Sequence, residues 1–289
     1  MIFIKNRATI NISGLEAKSF LQGLITNDIN KIDSGEAIYS FMLSAQGRFL
    51  YDFFIISYNG TIILDCAFEY VDEIIKKLSF YKLRAKVEIK KSDLAVAAII
   101  GDKPENDNQN IACFLDPRNS KMGYRLIGLE SDLSTIIQDR ESFDFYNYHR
   151  LNLKLVDDSD LLHDKSLILE YGFDDFNAID YKKGCYVGQE VTARTHYRGL
   201  VRKKIFLVEI LGATEIAKET AIFNGEIEIG KILSSVFFNQ KLIALALIKN
   251  IGEGDNSINL MDLKLTLPED FNKKSDDTLT GNYQIFLIN

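Results

Sequence analysis

The order of short apolar segments in the first half of the chain constrains its fold more than any other sequence feature. Alternating patterns at 37–43 and 49–58 predict two paired strands around a turn at 45–47, and a third strand follows at 61–66. Residues 69–81 then carry apolar side chains at helical spacing. Local hairpins mixed with single helices indicate an α+β fold and not a repeated βαβ sheet.

After about residue 200 the chain shows strand patterns and no long helical one. The Asn224-Gly225 pair predicts a hairpin turn between two of these strands. A small closed antiparallel barrel protects the edges of so many strands, and we therefore expect a C-terminal β-barrel. The predicted strands lie at 205–210, 221–223, 227–238, 241–248, 263–267 and 283–288.

Two or three domains are expected because 289 residues exceed the usual size of a single core. We assign 1–200 to two α+β domains, with internal boundaries near 45 and 105–115, and 201–289 to the barrel. The polar loop at 102–110 supports the second internal boundary.

The charge of the chain limits its partners. The formal net charge is −7, so we expect no direct nucleic-acid partner for the surface as a whole. One local basic cluster contains Arg194, Arg198, Arg202, Lys203 and Lys204. It fits a solvated face, a site for an acidic ligand or a docking patch, and the sequence leaves these three readings open.

The cysteine pattern gives no sign of a preformed metal site. Cys66, Cys113 and Cys185 are widely spaced, and no CxxC pair occurs. The three histidines are scattered as well, so no metal is expected. A disulfide framework is not expected either, which fits a reducing compartment.

The N-terminal sequence MIFIKNRATINISG lacks the basic region and long apolar stretch of a signal peptide. Apolar runs such as 242–248 are too short to span a membrane, so we expect no membrane partner. We expect a bacterial cytoplasmic protein, or a mitochondrial-matrix protein in an organellar relative. We also expect a monomer.

The segment KGCYVGQE at 183–190 is the most informative stretch of the chain. Its two glycines allow a tight turn or a close approach to a ligand, and a short helix follows Gly188. A helix N-terminus and nearby cations such as Arg194 favour the thiolate form of Cys185. Cys185 is therefore a candidate reactive thiol. A buried structural cysteine between loop glycines is the alternative, and the residues alone leave the two near even.

Segment 183–190 resembles the signature of YgfZ-type proteins and their mitochondrial relatives, which are also similar to the T-protein (aminomethyltransferase) of glycine cleavage. The segments FLQGLITND at 20–28 and LSAQGRFLYDFF at 43–54 resemble two further stretches of that family. Leu169-Glu170 fits as well. The resemblance covers about residues 10–205 in the same order.

The resemblance implies three domains around a central hole that accepts a folate. Two are interleaved, ferredoxin-like α+β domains, and the third is an antiparallel β-barrel. It also implies tetrahydrofolate as the cofactor. A pterin ring needs polar groups at its edge and an aromatic wall, and the glutamate tail needs a cation. The candidate folate-binding residues are Arg150, Glu170, Tyr186, Gln189, Glu190, Arg194 and Arg198.

Three positions depart from the T-protein pattern. Tyr51 stands where T-proteins carry the first Asp of an Asp-Asp pair, and a phenol with a normal pKa of about 10 is a poor base. Asn152 stands where a Glu reaches the pterin, and Cys185 stands where Asp is common. These changes argue against aminomethyl transfer. Asp52 remains either a catalytic group or a strand-end residue with local hydrogen bonds.

The resemblance implies a role in the synthesis or repair of iron–sulfur clusters, with effects on enzymes that include transfer-RNA modification enzymes. Cys185 would act there as a transient ligand or a redox group. The partners would be iron–sulfur assembly proteins or client enzymes. A folate-dependent transferase and a non-catalytic interaction scaffold are the alternatives.

Overall fold

The computed structural model describes residues 1–105, 108–136, 141–199, 201–224, 226–249, 264–265 and 283–288. The chain divides into two compact units. The first unit comprises Met1–Tyr146, Leu162–Leu169 and Phe173–Gly199. The second comprises Asn147–Leu161, Glu170–Gly172 and Leu200–Asn289.

Two antiparallel sheets form the first unit. Its strands are β1 (Ile2–Phe3), β2 (Arg7–Ser13), β3 (Ile38–Leu43), β4 (Phe49–Tyr58), β5 (Thr61–Ala67), β6 (Glu88–Ser92), β7 (Ala95–Ile99), β8 (Ala112–Leu115) and β9 (Tyr124–Gly128). One sheet has the order β3-β4-β5-β2-β6, and the other has the order β1-β7-β9-β8. The predicted hairpin of β3 and β4 and the pairing of β4 with β5 are both present.

Five α-helices accompany the strands in the described part of the chain. They are α1 (Ala17–Gln22), α2 (Val71–Lys82), α3 (Glu130–Ile136), α4 (Phe143–Asn152) and α5 (Gln189–Arg198). Short 3₁₀ segments lie at Ile29–Ser34, Phe68–Tyr70, Ser120–Met122, Asp158–Asp160, Ile168–Tyr171 and Phe173–Phe176. The apolar stripe predicted for 69–81 is confirmed, because Val71, Ile74 and Leu78 are buried on α2.

Strand β4 is buried on both faces, which explains its nearly continuous apolar sequence. Because successive side chains alternate, Phe53 and Ile55 point to one face and pack in a core with Leu21 of α1 and Ile74 of α2. Asp52 and Phe54 point to the opposite face. That second face carries a network of buried charges.

The charge network joins the two sheets of the first unit. Arg7 Nε and Arg125 Nε donate to the two oxygens of Asp65 at 2.7 and 2.6 Å. Arg7 Nη1 also donates to Asp52 Oδ1 at 2.6 Å. The guanidinium of Arg125 lies 3.8 Å from the ring centroid of Phe54. Asp65 and Arg7 belong to one sheet and Arg125 to the other, so this network is a buried polar link between the sheets.

Burial opposes the charged form of Asp65, but the adjacent Arg125 and Arg7 outweigh it and hold the pKa of Asp65 below its ordinary value. The carboxylate therefore stays ionised in the interior.

The second unit contains six antiparallel strands. They are β10 (Lys203–Ile210), β11 (Ala221–Asn224), β12 (Ile227–Phe238), β13 (Lys241–Lys249), β14 (Lys264–Leu265) and β15 (Tyr283–Ile288). The pairings run β10-β13-β12-β11-β14-β15, and β15 also pairs with β10, so the order of pairings is cyclic. Val208, Ile222, Ile232 and Ala244 belong to one buried core.

The predicted hairpin at Asn224-Gly225 is present, because β11 ends at Asn224 and pairs with β12, although Gly225 itself lies outside the described residues. The chain is thus an α+β protein with antiparallel sheets, as its sequence predicts. No helix in the described ranges has the length and apolar character needed to cross a bilayer.

Replacing Asp65 with Asn tests the charge network. We expect Asp65→Asn to lower the free energy of unfolding at neutral pH by about 3–5 kcal/mol, because two buried guanidinium groups lose a shared carboxylate. The pKa of folded Asp65 lies below its unfolded value of 3.8. Its contribution is therefore complete above about pH 4 and is lost as the pH falls through the folded pKa. Urea unfolding of wild type and variant should give a difference that shrinks on acidification.

The matched control is Asp93→Asn, because Asp93 is exposed. That variant should differ little from wild type at any pH. A stability difference for Asp65→Asn that stays constant between neutral and acid pH would contradict the assignment.

Candidate functional site

The thiol of Cys185 is exposed, in a loop that leads into α5. Cys66 is buried and Cys113 is half-buried, and all three cysteines are free. The alternative of a buried structural cysteine is therefore wrong for Cys185. Its sulfur is accessible to a partner or ligand.

Lys183, two residues before Cys185, fixes the start of this loop. Its ammonium donates to the backbone carbonyl oxygens of Gln22, Ile25 and Asn27 at 2.7, 2.6 and 2.8 Å. Three acceptors use all three N–H donors of an ammonium group. Gln22 ends α1, where carbonyl groups lack intrahelical partners and the helix dipole favours a cation. The lysine therefore ties the signature loop to the end of α1.

Burial lowers the pKa of Lys183 to about 8, while the carboxylates of Asp28 and Asp180 favour the charged form. The three carbonyl acceptors also require the charged form, because a neutral amine has only two donors. At neutral pH both considerations give an ammonium group at this position.

The loop after Cys185 is fixed by backbone contacts. The Val187 N–H donates to the Gly23 carbonyl at 3.1 Å. Gly188 precedes α5 with φ +85°, and a Cβ atom there would lie 2.6 Å from the Ser44 carbonyl oxygen. Gly47, in the turn between β3 and β4, has φ +73°, and a Cβ atom there would lie 2.8 Å from Val191 Cβ. These positions require glycine for both conformation and space.

The three segments that carry the family resemblance thus meet in space. Segment 20–28 accepts the bonds of Lys183 and Val187, and segment 43–54 packs its turn against the start of α5. Asn27 Nδ2 also donates to the Asn177 carbonyl at 2.6 Å. Sequence reasoning identified the segments one by one and did not predict that they form a single support for the Cys185 loop.

Tyr186 does not offer an open aromatic wall. Its side chain is buried, and the Lys183 ammonium lies 5.2 Å from its ring centroid. Burial raises the pKa of Tyr186 to about 12. Gln189 Oε1 accepts from the Tyr186 N–H at 3.3 Å, so both predicted folate ligands help to shape the loop.

Helix α5 presents charged groups on one face and is anchored on another. Glu190 and Arg194 are exposed and form a pair at 3.5 Å, and Arg198 is also exposed. On the anchored face, the His196 ring stacks on Tyr181 with centroids 3.9 Å apart. Asp174 accepts from Tyr181 Oη and lies 3.1 Å from His196 Nδ1. His196 is exposed, and its contacts with Tyr181 and Asp174 fix the orientation of its ring.

The sequence left open whether Asp52 is a catalytic group or a strand-end residue with local hydrogen bonds, and the second of these readings is wrong. It lies inside β4, is buried, accepts from Arg7, and accepts from Tyr39 Oη at 2.9 Å. Its two oxygens serve the charge network of the interior. The neighbouring Tyr51 points to the other face of β4, where its hydroxyl donates to Glu73 Oε1 at 2.6 Å.

Arg150 and Glu170 belong to the second unit, and the remaining predicted ligands belong to the first. Arg150 is buried, and its Nη1 donates to Asp160 Oδ2 at 2.6 Å, with Asp157 3.1 Å from Nε. Glu170 Oε2 accepts from Lys203 Nζ at 2.8 Å. Arg150 is thus occupied by two carboxylates, which sequence reasoning did not foresee.

A cavity of about 550 Å³ lies in the first unit, and sequence reasoning missed it. Asn27, Lys31, Tyr39, Cys113 and Asn177 contribute to its lining, and none of the predicted site residues does. Only the position of Asn27 inside segment 20–28 pointed to this region. Within the described ranges, no group of three or more His, Cys, Asp and Glu side chains is arranged to hold a metal.

The relatives found by comparison with known proteins share one name. No family model matches the chain. It is 30% identical over 238 residues to "Iron-sulfur cluster assembly factor IBA57, mitochondrial" of Mus musculus, covering 72% of this chain and 66% of that protein. The human protein of the same name is 30% identical over 234 residues, covering 72% and 65%. The homolog in Dictyostelium discoideum is 31% identical over 251 residues, covering 71% and 61%.

The chain belongs to the YgfZ-type family that includes IBA57. It spans two-thirds or less of the length of these curated relatives.

A solved structure gives the same fold. The glycine cleavage system aminomethyltransferase T from Bartonella henselae superposes with a TM-score of 0.71, covering 99% of this chain and 84% of that chain. The sequences are 11% identical, so the likeness concerns the fold alone. The T-protein-like fold implied by the sequence is thereby confirmed.

Replacing Lys183 with Met tests the support of the Cys185 loop in this YgfZ-type chain. We expect Lys183→Met to lower the free energy of unfolding by about 2–4 kcal/mol, because three carbonyl groups lose a charged donor. Urea unfolding measures this change. Lys182→Met is the matched control, since Lys182 is exposed, and it should change stability by less than about 0.5 kcal/mol. Equal effects of the two substitutions would contradict the assigned role.

Proposed function

We propose that this chain is a folate-binding accessory protein for iron–sulfur cluster assembly or repair, with Cys185 as its working thiol. The proposal takes its function from the relatives, which are named iron–sulfur cluster assembly factors. It takes its chemistry from one observation. An exposed cysteine is held in a loop whose two sides are fixed by Lys183 and by Val187.

A single exposed thiol is suited to transient ligation of iron. Thiolate is a soft ligand that iron–sulfur clusters prefer, but a cluster normally takes four protein ligands. The described residues hold no cluster of three or more metal-ligating side chains, so a partner would supply the remaining ligands. This division fits an accessory protein that meets an assembly protein or a client enzyme. Enzymes of transfer-RNA modification are among the proposed clients.

Folate is proposed as the cofactor on the strength of the T-protein-like fold, and the residues fit it in part. Arg194 and Arg198 are exposed cations that can pair with the acidic tail. Gln189 and Glu190 at the start of α5 supply hydrogen-bonding groups for the pterin edge. Arg150 is already paired with two carboxylates, so we assign the tail to the arginines of α5 and not to Arg150.

The arrangement expected for such a cofactor is three domains around a folate-sized hole. We propose this arrangement for the present chain, with the residues before about 200 forming two α+β domains and the rest a barrel. The cyclic strand pairing of the second unit supports the barrel.

The alternative of aminomethyl transfer receives less support. At the position of the T-protein carboxylate, Tyr51 donates its hydroxyl to Glu73, and His163 Nε2 lies 3.9 Å from the same oxygen. Burial raises the pKa of Tyr51 further above its ordinary value, with Glu73 adding to the effect. A phenol that remains protonated cannot serve as a general base.

The location follows the relatives. Their names place them in mitochondria. We propose a mitochondrial matrix or, for a bacterial chain, the cytoplasm.

The role of Cys185 is tested by replacing it with Ala in cells that depend on this chain. We expect iron–sulfur enzyme activity to fall to the level of cells that lack the protein, because no second exposed thiol is available in the described residues. Cys113→Ala is the control, since Cys113 is half-buried, and it should keep wild-type activity. Full enzyme activity with Cys185→Ala would remove the thiol from the proposed mechanism.

Folate binding is tested by calorimetric titration with tetrahydrofolate. We expect the double variant Arg194→Ala/Arg198→Ala to bind at least about tenfold more weakly, because each charged hydrogen bond to the tail is worth about 1.5–3 kcal/mol. Arg84→Ala serves as a control at an exposed arginine outside the signature. Equal affinity of the double variant and wild type would contradict the assignment, and no binding by wild type at millimolar ligand would favour the scaffold alternative.

A further inference from the structure

Three large apolar side chains stand almost fully exposed near the C-terminal end of α2. The exposed fractions are 94% for Leu15, 76% for Phe80 and 85% for Leu83. Phe80 lies on the last turn of α2 and Leu83 directly follows the helix, so both stand at its C-terminal end. Leaving such side chains in water forgoes the free energy of their burial, and a surface that gathers three of them indicates a site that contacts something apolar.

Backbone contacts bring Leu15 to the same region. The residue before it, Gly14, has its Cα so close to Lys86 that an added Cβ would lie 2.2 Å from the Lys86 carbonyl oxygen. The residue after it, Glu16, accepts the Lys86 N–H at 2.7 Å. Leu15 therefore projects beside the segment that follows Leu83. We call Leu15, Phe80 and Leu83 with the cations of 76–91 the α2 tip.

The α2 tip is strongly basic in an otherwise acidic chain. Residues 76–91 contain seven cationic side chains and one carboxylate, a net charge of +6, whereas the whole chain carries −7. The cations are Lys76, Lys77, Lys82, Arg84, Lys86, Lys90 and Lys91. Lys90 pairs with Glu88, and Lys91 lies 5.4 Å from the ring centroid of Phe68. Among the described residues, no carboxylate forms a salt bridge with any of the other five.

The backbone of Leu83 shows that the fold does not require a leucine there. Leu83 adopts φ +47° and ψ −108° at the end of α2, a conformation that is unfavourable for a bulky L-residue. Glycine or asparagine is the usual residue at a positive φ after a helix. Leucine at this position gains nothing from burial, so its side chain is explained better by a contact outside the chain.

We propose that the α2 tip binds the surface of an anionic lipid bilayer, with Leu15, Phe80 and Leu83 entering the interface and the surrounding lysines meeting the headgroups. Phe and Leu within a ring of Lys and Arg are the composition of interfacial membrane-binding elements. A cluster of four to eight cations is typical of binding to anionic lipids. The expectation of no membrane partner rests on apolar runs too short for a spanning helix, and a surface contact of this kind needs no such run.

Other occupants match the composition less well. Protein interfaces are depleted in lysine, and their energetic centres favour Trp, Tyr and Arg over Leu. Nucleic-acid surfaces gain from cations and from stacking aromatic rings, but two exposed leucines add nothing to either interaction. Because the rest of the chain carries a net charge of −13 by difference, an anionic bilayer would repel it and would orient the molecule on the α2 tip.

The test uses the full chain and sedimentation with vesicles. One set of vesicles contains phosphatidylcholine alone, and the other contains phosphatidylcholine with phosphatidylglycerol. We expect binding to the anionic vesicles that weakens with salt, and little binding to the neutral ones. Lys76→Gln/Lys77→Gln/Lys86→Gln should weaken binding by about fivefold per charge removed. The triple control Lys5→Gln/Lys103→Gln/Lys204→Gln, at exposed lysines outside the α2 tip, should bind like wild type.

Leu83→Asn separates the contact from the fold. Asparagine is not β-branched and replaces an exposed side chain, so we expect thermal stability equal to wild type while affinity for anionic vesicles falls about tenfold or more. Wild-type binding by Leu83→Asn, equal binding to neutral vesicles, or no vesicle binding at all would overturn the proposal. Transfer RNA that binds the α2 tip with the same affinity as vesicles would likewise assign the surface to nucleic acid. An acidic protein whose binding requires Leu83, in the absence of vesicle binding, would assign it to that protein.

Discussion

The ammonium group of Lys183 bonds the carbonyl oxygen of Gln22, the last residue of α1, and those of Ile25 and Asn27 in the segment that follows, more than 150 residues away in sequence. A buried cation is costly unless it is paired, and carbonyl groups at a helix end are costly unless they accept a bond. The contact pairs the buried cation, satisfies the carbonyl groups, and fixes the start of the loop that carries Cys185. The accessible thiol is therefore presented by a rigid support, although it lies in a loop.

Strand β4 separates two kinds of chemistry because its side chains alternate. Asp52 points to the interior between the sheets, where it takes part with Asp65, Arg7 and Arg125 in holding the sheets together. Tyr51 points to the side of α2 and bonds to Glu73. Asp52, the remaining carboxylate of the T-protein Asp-Asp pair, is thus bound to structural partners. The other carboxylate of that pair, replaced here by Tyr51, would lie on the opposite face of β4. This arrangement is the physical basis for proposing a function other than aminomethyl transfer on a T-protein-like fold.

The YgfZ-type chain has two surfaces of different character in its first unit. The Cys185 loop is fixed by backbone acceptors on both sides of an exposed thiol, which fits the proposed function of Cys185. The α2 tip is apolar and cationic, and one of its residues adopts a backbone conformation that the fold alone would not select. The two surfaces are carried by separate segments, 183–199 for the first and Leu15 with 76–91 for the second. Substitutions in one can therefore be made without touching the other.

The sequence by itself determined the elements that depend on local pattern. Period-two and helical spacing predicted the β3–β4 hairpin, the stripe of α2 and the strands after residue 200, because backbone hydrogen bonding and burial act through near neighbours. It also singled out Cys185, since glycines and a lone cysteine form a distinctive local motif. The tertiary structure decided which residues are available for function. Arg150 was a candidate folate ligand and Asp52 a candidate catalytic group, but both are buried, Arg150 paired with Asp160 and Asp52 with Arg7. The partner of Asp52 lies 45 residues away in sequence, and that of Arg150 lies ten residues away beyond the end of α4, so the spacing of residues within one helix or strand reveals neither pair.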